Sequence, residues 1–233
     1  MTFENTDVVI LCGGLGTRFR AVIDNQPKGL ASVAGKPILD RIIDDLIEQG
    51  AKRIILCVGY LSEQIVEYYG NRTDVEFRFS TEDTPLGTGG AVKNATPLIQ
   101  ADKVLVLNGD SLCSISFQDL LLYHEKNESF LTVVTSYSKD IGDYGNLSLD
   151  EKGKILSFRE KVKSDGSPLI SAGIYLMNKD ALNEIQGEYP ISIEVDFFPE
   201  VVTKHNCMGY MTESEVMDIG TPERYKKINE ILN

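Results

Sequence analysis

No apolar run in this chain approaches the ~20 residues needed to cross a bilayer. Its first residues, Met1-Thr2-Phe3-Glu4-Asn5, lack the basic and apolar regions of a secretory signal. Positive charge is also short: 23 Lys and Arg stand against 35 Asp and Glu, a formal net charge of −12. That balance argues against nucleic acid and anionic membrane as partners, because both call for a basic face. The cysteines Cys12, Cys57, Cys113 and Cys207 contain no Cys-x-x-Cys pair, which speaks against a zinc site and against a disulfide framework. They read as small buried hydrophobes of a cytoplasmic protein. Internal repeats, low-complexity tracts, linkers and hexapeptide β-helix repeats are missing as well. What remains is an ordinary globular make-up, 233 residues with 42% hydrophobic and 25% charged, enough for a single α/β domain with a sizeable core.

The most informative stretch is Val8-Val9-Ile10-Leu11-Cys12-Gly13-Gly14-Leu15-Gly16-Thr17-Arg18, followed by Pro27-Lys28. A short apolar run that ends in a glycine-rich turn reads as a buried strand delivering a loop to a sheet edge. Glycines there let the backbone approach a ligand and aim its N–H groups at anionic oxygens. Arg18 and Lys28 add fixed positive charge, so the loop suits a nucleoside triphosphate. It is not a dinucleotide fingerprint, since Phe19 stands where that motif needs glycine. Nor does Gly35-Lys36 open a Walker A loop, because Leu30 and Pro37 occupy its other required positions.

Further along, apolar pairs from Ile38 to Ile47 recur at helical spacing, with Pro37 as the first helical residue and Gly50 as the stop. Arg53–Val58 is a continuous apolar strand, Ser62–Tyr69 a helix, and Val75–Ser80 another strand. This alternation predicts a Rossmann-like, doubly wound mixed sheet with right-handed crossovers, whose ligands sit at the carboxyl ends of the strands. Glu82 to Ala91 breaks from a strand and opens a helix running to about Leu98; it is either an ordinary loop and cap or a second ligand loop. Val104 to Asp110 is a strand ending in an acid, which can be a solvated cap or a magnesium ligand. From Ser129 onward, Phe130–Tyr137, Gly145–Leu149 and Ile155–Phe158 read as strands that extend the same sheet, the last two joined by the turn Asp150-Glu151-Lys152-Gly153. Ser171–Met177 is a further strand and Ser192–Val202 a helix, with Glu194 and Asp196 in its first turn; they either complement its dipole, the preferred reading, or reach sugar hydroxyls. Asp218 precedes a terminal helix that starts at Thr221-Pro222.

Leu11-Cys12-Gly13-Gly14-Leu15-Gly16-Thr17-Arg18 with Pro27-Lys28 resembles the signature of the sugar-1-phosphate nucleotidylyltransferases, and the likeness extends along almost the whole chain. Within them it is most similar to the small D-glycero-D-manno-heptose 1-phosphate guanylyltransferases. The resemblance implies the nucleotide-diphospho-sugar transferase fold, with a nucleotide-binding part of about 1–128 and a sugar-phosphate-binding part of about 129–233. It makes Arg18 and Lys28 catalytic. It assigns Leu11, Gly13, Gly14, Gly16 and Thr17 to the triphosphate, and Gly87, Thr88 and Glu82 to the nucleoside. Asp110 and Asp218 become ligands of one Mg²⁺. Gly145, Glu160, Lys161 and Gly173 are assigned to the sugar phosphate, although on spacing alone Glu160-Lys161 is an ordinary surface pair. The chain departs from the family pattern at Gly29, usually proline, and at Ser171, often asparagine.

The reaction so implied is attack by a sugar 1-phosphate oxygen on the α-phosphorus of an NTP, with release of pyrophosphate. It demands positioning and charge stabilisation. The attacking phosphate is already ionised, which agrees with a chain holding only two histidines, His124 and His205. GTP and a manno-heptose 1-phosphate are the implied substrates. Glucose or mannose 1-phosphate with UTP, CTP or dTTP remain alternatives, as does a sugar-nucleotide sensor without activity. A molybdopterin-type cofactor nucleotidylyltransferase fits less well, given the long Pro-Lys spacing and the Gly87-Thr88-Gly89-Gly90 segment.

Overall fold

The computed structural model describes residues 3–14, 16–19, 25–138, 144–160 and 168–233. Its first strand, β1 (Thr6–Leu11), leads through the glycine-rich loop to a small ribbon, β2 (Ser32–Val33) and β3 (Lys36–Pro37), and then helix α1 (Ile38–Glu48). Pro37 ends the ribbon and immediately precedes the helix; it is not the helix's first residue, because its ψ of 139° is extended. The chain continues through β4 (Arg53–Val58), α2 (Ser62–Tyr69), β5 (Glu76–Thr81), α3 (Gly87–Ala95), β6 (Lys103–Asn108), β7 (Ser111–Leu112) and α4 (Phe117–Lys126). Strands then dominate: β8 (Leu131–Tyr137), β9 (Gly145–Leu149), β10 (Ile155–Glu160) and β11 (Leu169–Asn178). A π-turn (Ile193–Phe197) runs into α5 (Phe198–Lys204), followed by β12 (Cys207–Thr212), β13 (Met217–Asp218) and α6 (Pro222–Leu232).

The central sheet has the order β10-β9-β11-β6-β1-β4-β5, with β8 also paired to β11 and β12 to β8. The β6-β1-β4-β5 half is parallel. β11 runs antiparallel to β6, β8 and β9. The fold is therefore the expected α/β domain with a mixed sheet, and β8 to β12 belong to the same sheet as β1, β4, β5 and β6, while β7 with β13 and β2 with β3 form separate two-stranded ribbons.

Alternation along β1 shows how the core is divided. Val8 and Ile10 face one hydrophobic cluster and Val9 the other, all three with no exposed surface. The first cluster lies under α1, α2, α4 and α6, represented by Leu39, Ile65, Leu120 and Ile228. The second lies under α3 and α5, represented by Val92 and Val201. A strand covered on both faces needs an unbroken apolar run, which is what β1, β4 and β6 carry. Because both faces are full, a ligand can meet these strands only at their ends. No described helix is long and apolar enough to cross a membrane.

Candidate functional site

Four chain segments leave the carboxyl ends of β1, β4, β5 and β6 and are pinned to one another there. The Gly109 amide donates to the Leu11 carbonyl (2.9 Å), the Tyr60 amide to Gly13 (3.1 Å), and the Glu82 amide to Val58 (3.0 Å). They border a cleft of ≈ 910 Å³, ample for a nucleotide together with a sugar. Each residue assigned above to catalysis, the nucleotide, the sugar phosphate or the metal lines it, except Lys161, which lies outside the described residues. The structure thus brings the glycine-rich loop, Arg18, Lys28, Asp110 and Asp218 to a single cavity, along with Glu82, Gly87, Thr88, Gly145, Glu160 and Gly173.

Lys28 begins a short 3-10 turn, Lys28–Leu30. Gly29 is buried inside that turn, where a Cβ would stand 3.3 Å from Leu39 Cδ2. This packing holds Lys28 with its ammonium paired to Asp110 Oδ2 and lying 5.9 Å from the centre of the Phe19 ring. Burial opposes ionisation of Asp110. The Lys28 charge and hydrogen bond, with a further bond from the Ser111 hydroxyl (3.1 Å), outweigh it and hold the carboxyl below its ordinary value.

Asp218 stands beside Asp110 because β13 pairs antiparallel with β7, setting Asp218 opposite Ser111, and the Ile219 amide bonds the Asp110 carbonyl (3.1 Å). The Asp218 carboxylate is buried and heavily restrained. It accepts from the Gly220 amide (2.7 Å), from the Tyr144 hydroxyl, and from Arg224 Nη1 at 3.1 and 3.4 Å. The Arg224 guanidinium also lies 4.7 Å from the centre of the Tyr144 ring.

Two carboxylates, Asp110 in the turn before β7 and Asp218 on β13, open to a cleft that admits phosphate oxygens, match the donor set of Mg²⁺, which takes one or two carboxylates and completes its shell with phosphates and water. Among the described residues no group of three or more His, Cys, Asp or Glu side chains converges. The donor set therefore fits a divalent ion that shares its shell with the substrate.

Arg224 was not singled out from sequence, although a signal was present. It sits in the first turn of α6, where the helix dipole disfavours a cation, so something other than helix stability keeps it there. Tyr225 beside it stacks edge-on against Phe19 at 5.2 Å and bonds the Ser32 carbonyl (2.6 Å). Helix α6 thus supports the loop that carries Arg18.

The second glycine-rich stretch differs from the expectation of close approach to a ligand. Gly87 has φ of +77°, and a Cβ there would fall 2.3 Å from the Ile191 carbonyl oxygen. The Gly89 and Gly90 amides both donate to that same carbonyl, at 2.8 and 3.2 Å. These glycines admit a neighbouring protein segment; Gly87 and Thr88 still border the cleft. Glu82 folds over Gly59, its carboxylate raised above the ordinary value by burial, a shift only partly offset by the Leu86 amide (3.3 Å).

On the other wall, β11 bulges between Ser171 and Tyr175. Gly173, at φ +71°, lies against Asn108 there, and its amide donates to Ser171 Oγ (3.2 Å). Glu194 is more central than a dipole-complementing residue. Its carboxylate meets the Thr88, Tyr175 and Ser192 hydroxyls. Asp196 keeps the structural role, accepting the Ser192 amide (2.7 Å).

Neither histidine lines the cleft: His124 is buried between Thr132 and Asn178, and His205 stacks on Phe130. All four cysteines are free. Cys12, within the loop, has its thiol pushed up to about 12, first by burial and then by the Glu82 charge, which keeps it an unreactive thiol.

Comparison with known proteins gives the family. The Nucleotidyl transferase family model matches residues 7–233. A D-glycero-alpha-D-manno-heptose 1-phosphate guanylyltransferase of Campylobacter jejuni is 37% identical, over 93% of this chain and 96% of its own. A mannose-1-phosphate guanylyltransferase catalytic subunit beta of Drosophila melanogaster is 34% identical over 95% of this chain, which spans 61% of that longer protein. Among solved structures, HddC from Yersinia pseudotuberculosis complexed with GMP-PN superposes with a TM-score of 0.84 at 34% identity, covering 97% of this chain and 99% of that one.

Proposed function

This chain belongs to the nucleotidyl transferase family, and from that premise we propose that it transfers a guanylyl group from GTP to D-glycero-D-manno-heptose 1-phosphate, forming the GDP-sugar and pyrophosphate. The observation that carries the site assignment is one shared cavity, lined together by Arg18, Lys28, Asp110 and Asp218. Guanine is supported by the names of the relatives at 34–37% identity, and heptose by the name of the Campylobacter jejuni relative.

In the proposed reaction an acceptor phosphate oxygen attacks the α-phosphorus while the α–β bridging bond breaks. The leaving pyrophosphate carries the electron pair away. The acceptor phosphate is ionised near neutrality, so no side chain need remove a proton, and no histidine lines the cleft among the described residues. Lys28 moves from Asp110 onto the α-phosphate as charge grows there. Arg18, at the exposed rim of the loop, takes the pyrophosphate oxygens, and the open face of Gly14 lets the triphosphate pass close to the backbone. Lys161, outside the described residues, is assigned to the acceptor phosphate, with Glu160, Gly145 and Gly173 along the sugar. Glu82, Gly87 and Thr88 face the nucleoside, and Leu11, Gly13, Gly16 and Thr17 complete the triphosphate loop. Asp110 and Asp218 would hold a divalent ion, Mg²⁺ in this reading, which when bound neutralises charge shared between donor and acceptor phosphates. Arg224 and Tyr144 keep Asp218 oriented toward it. A cytoplasmic setting follows from the substrates.

The test is pyrophosphate release with each of four nucleoside triphosphates against heptose, mannose and glucose 1-phosphates, with and without Mg²⁺. Metal-dependent turnover that prefers GTP and the heptose is expected. Preference for mannose 1-phosphate, as in the name of the Drosophila relative, would replace the acceptor. Binding without turnover in every combination would overturn the enzymatic reading.

A further inference from the structure

Among the described residues the cleft is lined by the carboxylates of Glu82, Asp83, Asp110, Glu160, Glu194 and Asp218, against the cations Arg18, Lys28 and Arg224. A phosphate monoester carries close to two negative charges near neutrality. The phosphate of a sugar 1-phosphate therefore enters a place already rich in negative charge and needs fixed cations beside it. The three cations divide by position. Arg18 belongs to the glycine-rich loop after β1, and Lys28 is paired with Asp110 below it, both on the side given to the triphosphate. Arg224 packs instead on the Tyr144 ring, its guanidinium 4.7 Å from the ring centre, and Tyr144 immediately precedes Gly145 of the wall assigned to the sugar phosphate.

Arg224 meets Asp218 through Nη1, at 3.1 Å from Oδ2 and 3.4 Å from Oδ1, with both side chains largely buried. Asp218 does not depend on that contact alone, since the Gly220 amide (2.7 Å) and the Tyr144 hydroxyl also donate to it. A guanidinium lying on a ring keeps its N–H groups pointing outward in its own plane, a fork suited to phosphate. Charge balance points the same way. Lys28 with Asp110 and Arg224 with Asp218 make two neutral pairs. Each acid that turns toward a shared divalent ion relieves one of these protein cations. On the donor side that cation is Lys28, which passes to the α-phosphate; its counterpart beside Tyr144 is Arg224.

We propose that Arg224 binds the phosphate of the acceptor, shifting onto it from Asp218 as Lys28 shifts from Asp110 onto the α-phosphate, and so helps hold the attacking oxygen in line. This rests on reading the cleft as a nucleotidyl-transfer site. It gives Arg224 a contact with substrate in addition to its hold on Asp218.

The experiment compares the wild-type chain with Arg224→Met and Arg224→Lys. It reads KM for the acceptor 1-phosphate and for the nucleotide at a low and a high Mg²⁺ concentration, and the binding of Mn²⁺ alone to the nucleotide-free protein by electron paramagnetic resonance. A hydrogen bond to a charged group is worth roughly a 10–100-fold effect. Arg224→Met is expected to raise acceptor KM by about that factor at both Mg²⁺ concentrations, while nucleotide KM stays within about 3-fold. Its Mn²⁺ affinity should equal or exceed that of the wild type, because a cation competing for Asp218 is gone. Arg224→Lys, which keeps the charge and the pairing with Asp218 but loses the fork, should raise acceptor KM by about 3–10-fold and preserve the fold if Arg224→Met does not. If high Mg²⁺ restores the acceptor KM of Arg224→Met, or if its Mn²⁺ binding weakens, Arg224 serves only to hold Asp218 and the proposal falls. It falls equally if acceptor KM is unchanged in both variants, or if nucleotide KM rises in its place. Absence of transfer in the wild-type chain would instead sink the underlying reading of the cleft.

Discussion

Gly13–Gly16 and Gly87–Gly90 look alike on paper: each follows a strand, each is rich in glycine, and each borders the cleft. Their glycines face different neighbours. In the first stretch Gly14 is exposed, and a Cβ added there would meet nothing within 4 Å. In the second, Gly87 is closed against Ile191, and Gly90 would meet Leu86 and Tyr189 at 2.9 Å. At Gly14 the first leaves space that a ligand can take, although its Gly13 is closed against Gly59 N at 2.8 Å; the second has given its space, and two of its amides, to another part of the chain. Glycine content alone tells that a backbone is approached closely. What approaches it is decided by residues about a hundred positions away.

Substitutions can break that contrast, beginning with the strongest. Lys28→Ala or Asp110→Ala, beside the first loop, is expected to lower turnover by ~10²–10³-fold with little change in the unfolding midpoint, as read by initial rates and urea titration. Near-normal turnover in both would remove the first loop from the chemistry. Gly87→Ala is expected to act on folding, because it forces a positive φ and a backbone collision. The loss should be about 1–3 kcal/mol in urea unfolding. A stable Gly87→Ala protein with impaired nucleotide binding alone would reverse the assignment. Gly14→Ala should do the opposite, shifting stability by no more than ~0.5 kcal/mol while raising KM for the nucleotide.

The smallest effect concerns the baseline against which both loops are compared. His124, buried away from the cleft, has its pKa lowered below the ordinary value of 6.5 chiefly by burial, so the folded state keeps it neutral. The unfolded chain takes up its proton first as pH falls through 6.5. Stability therefore drops below that pH, by at most ~1.4 kcal/mol per pH unit, until the lower folded value is passed. Urea midpoints at pH 7.5 and 5.5 should show the drop, and His124→Asn or His124→Gln should reduce it.

Much of the fold was legible because its central strands are covered on both faces and so advertise themselves as apolar runs: Arg53–Val58 and Ser62–Tyr69 have the expected limits. Asp110 was legible from its place at the end of such a run. The helix expected over 192–202 is a π-turn followed by α5, and here local pattern fails for a physical reason. Phe197 and Phe198 are consecutive and both buried, a demand made by the core beneath them that no helical period announces. The parts of the cleft that stayed hidden, the Arg224–Asp218 pair and the Glu194–Thr88–Tyr175 network, are contacts between distant segments. They become visible only when β13 pairs with β7 and when residues 191–194 dock on α3.

The confinement of Lys28 and Arg224 to the floor of a cleft, in a protein with a net charge of −12, has a consequence for the speed of capture. A triphosphate far from the opening meets the field of the whole acidic molecule, which repels it, and senses Lys28 and Arg224 only on arrival. Moderate salt shortens the reach of that repulsion, with a Debye length of about 8 Å at physiological ionic strength, yet weakens contact-range attraction less. Adding salt from a very dilute buffer should therefore quicken nucleotide entry, the reverse of what a basic funnel does.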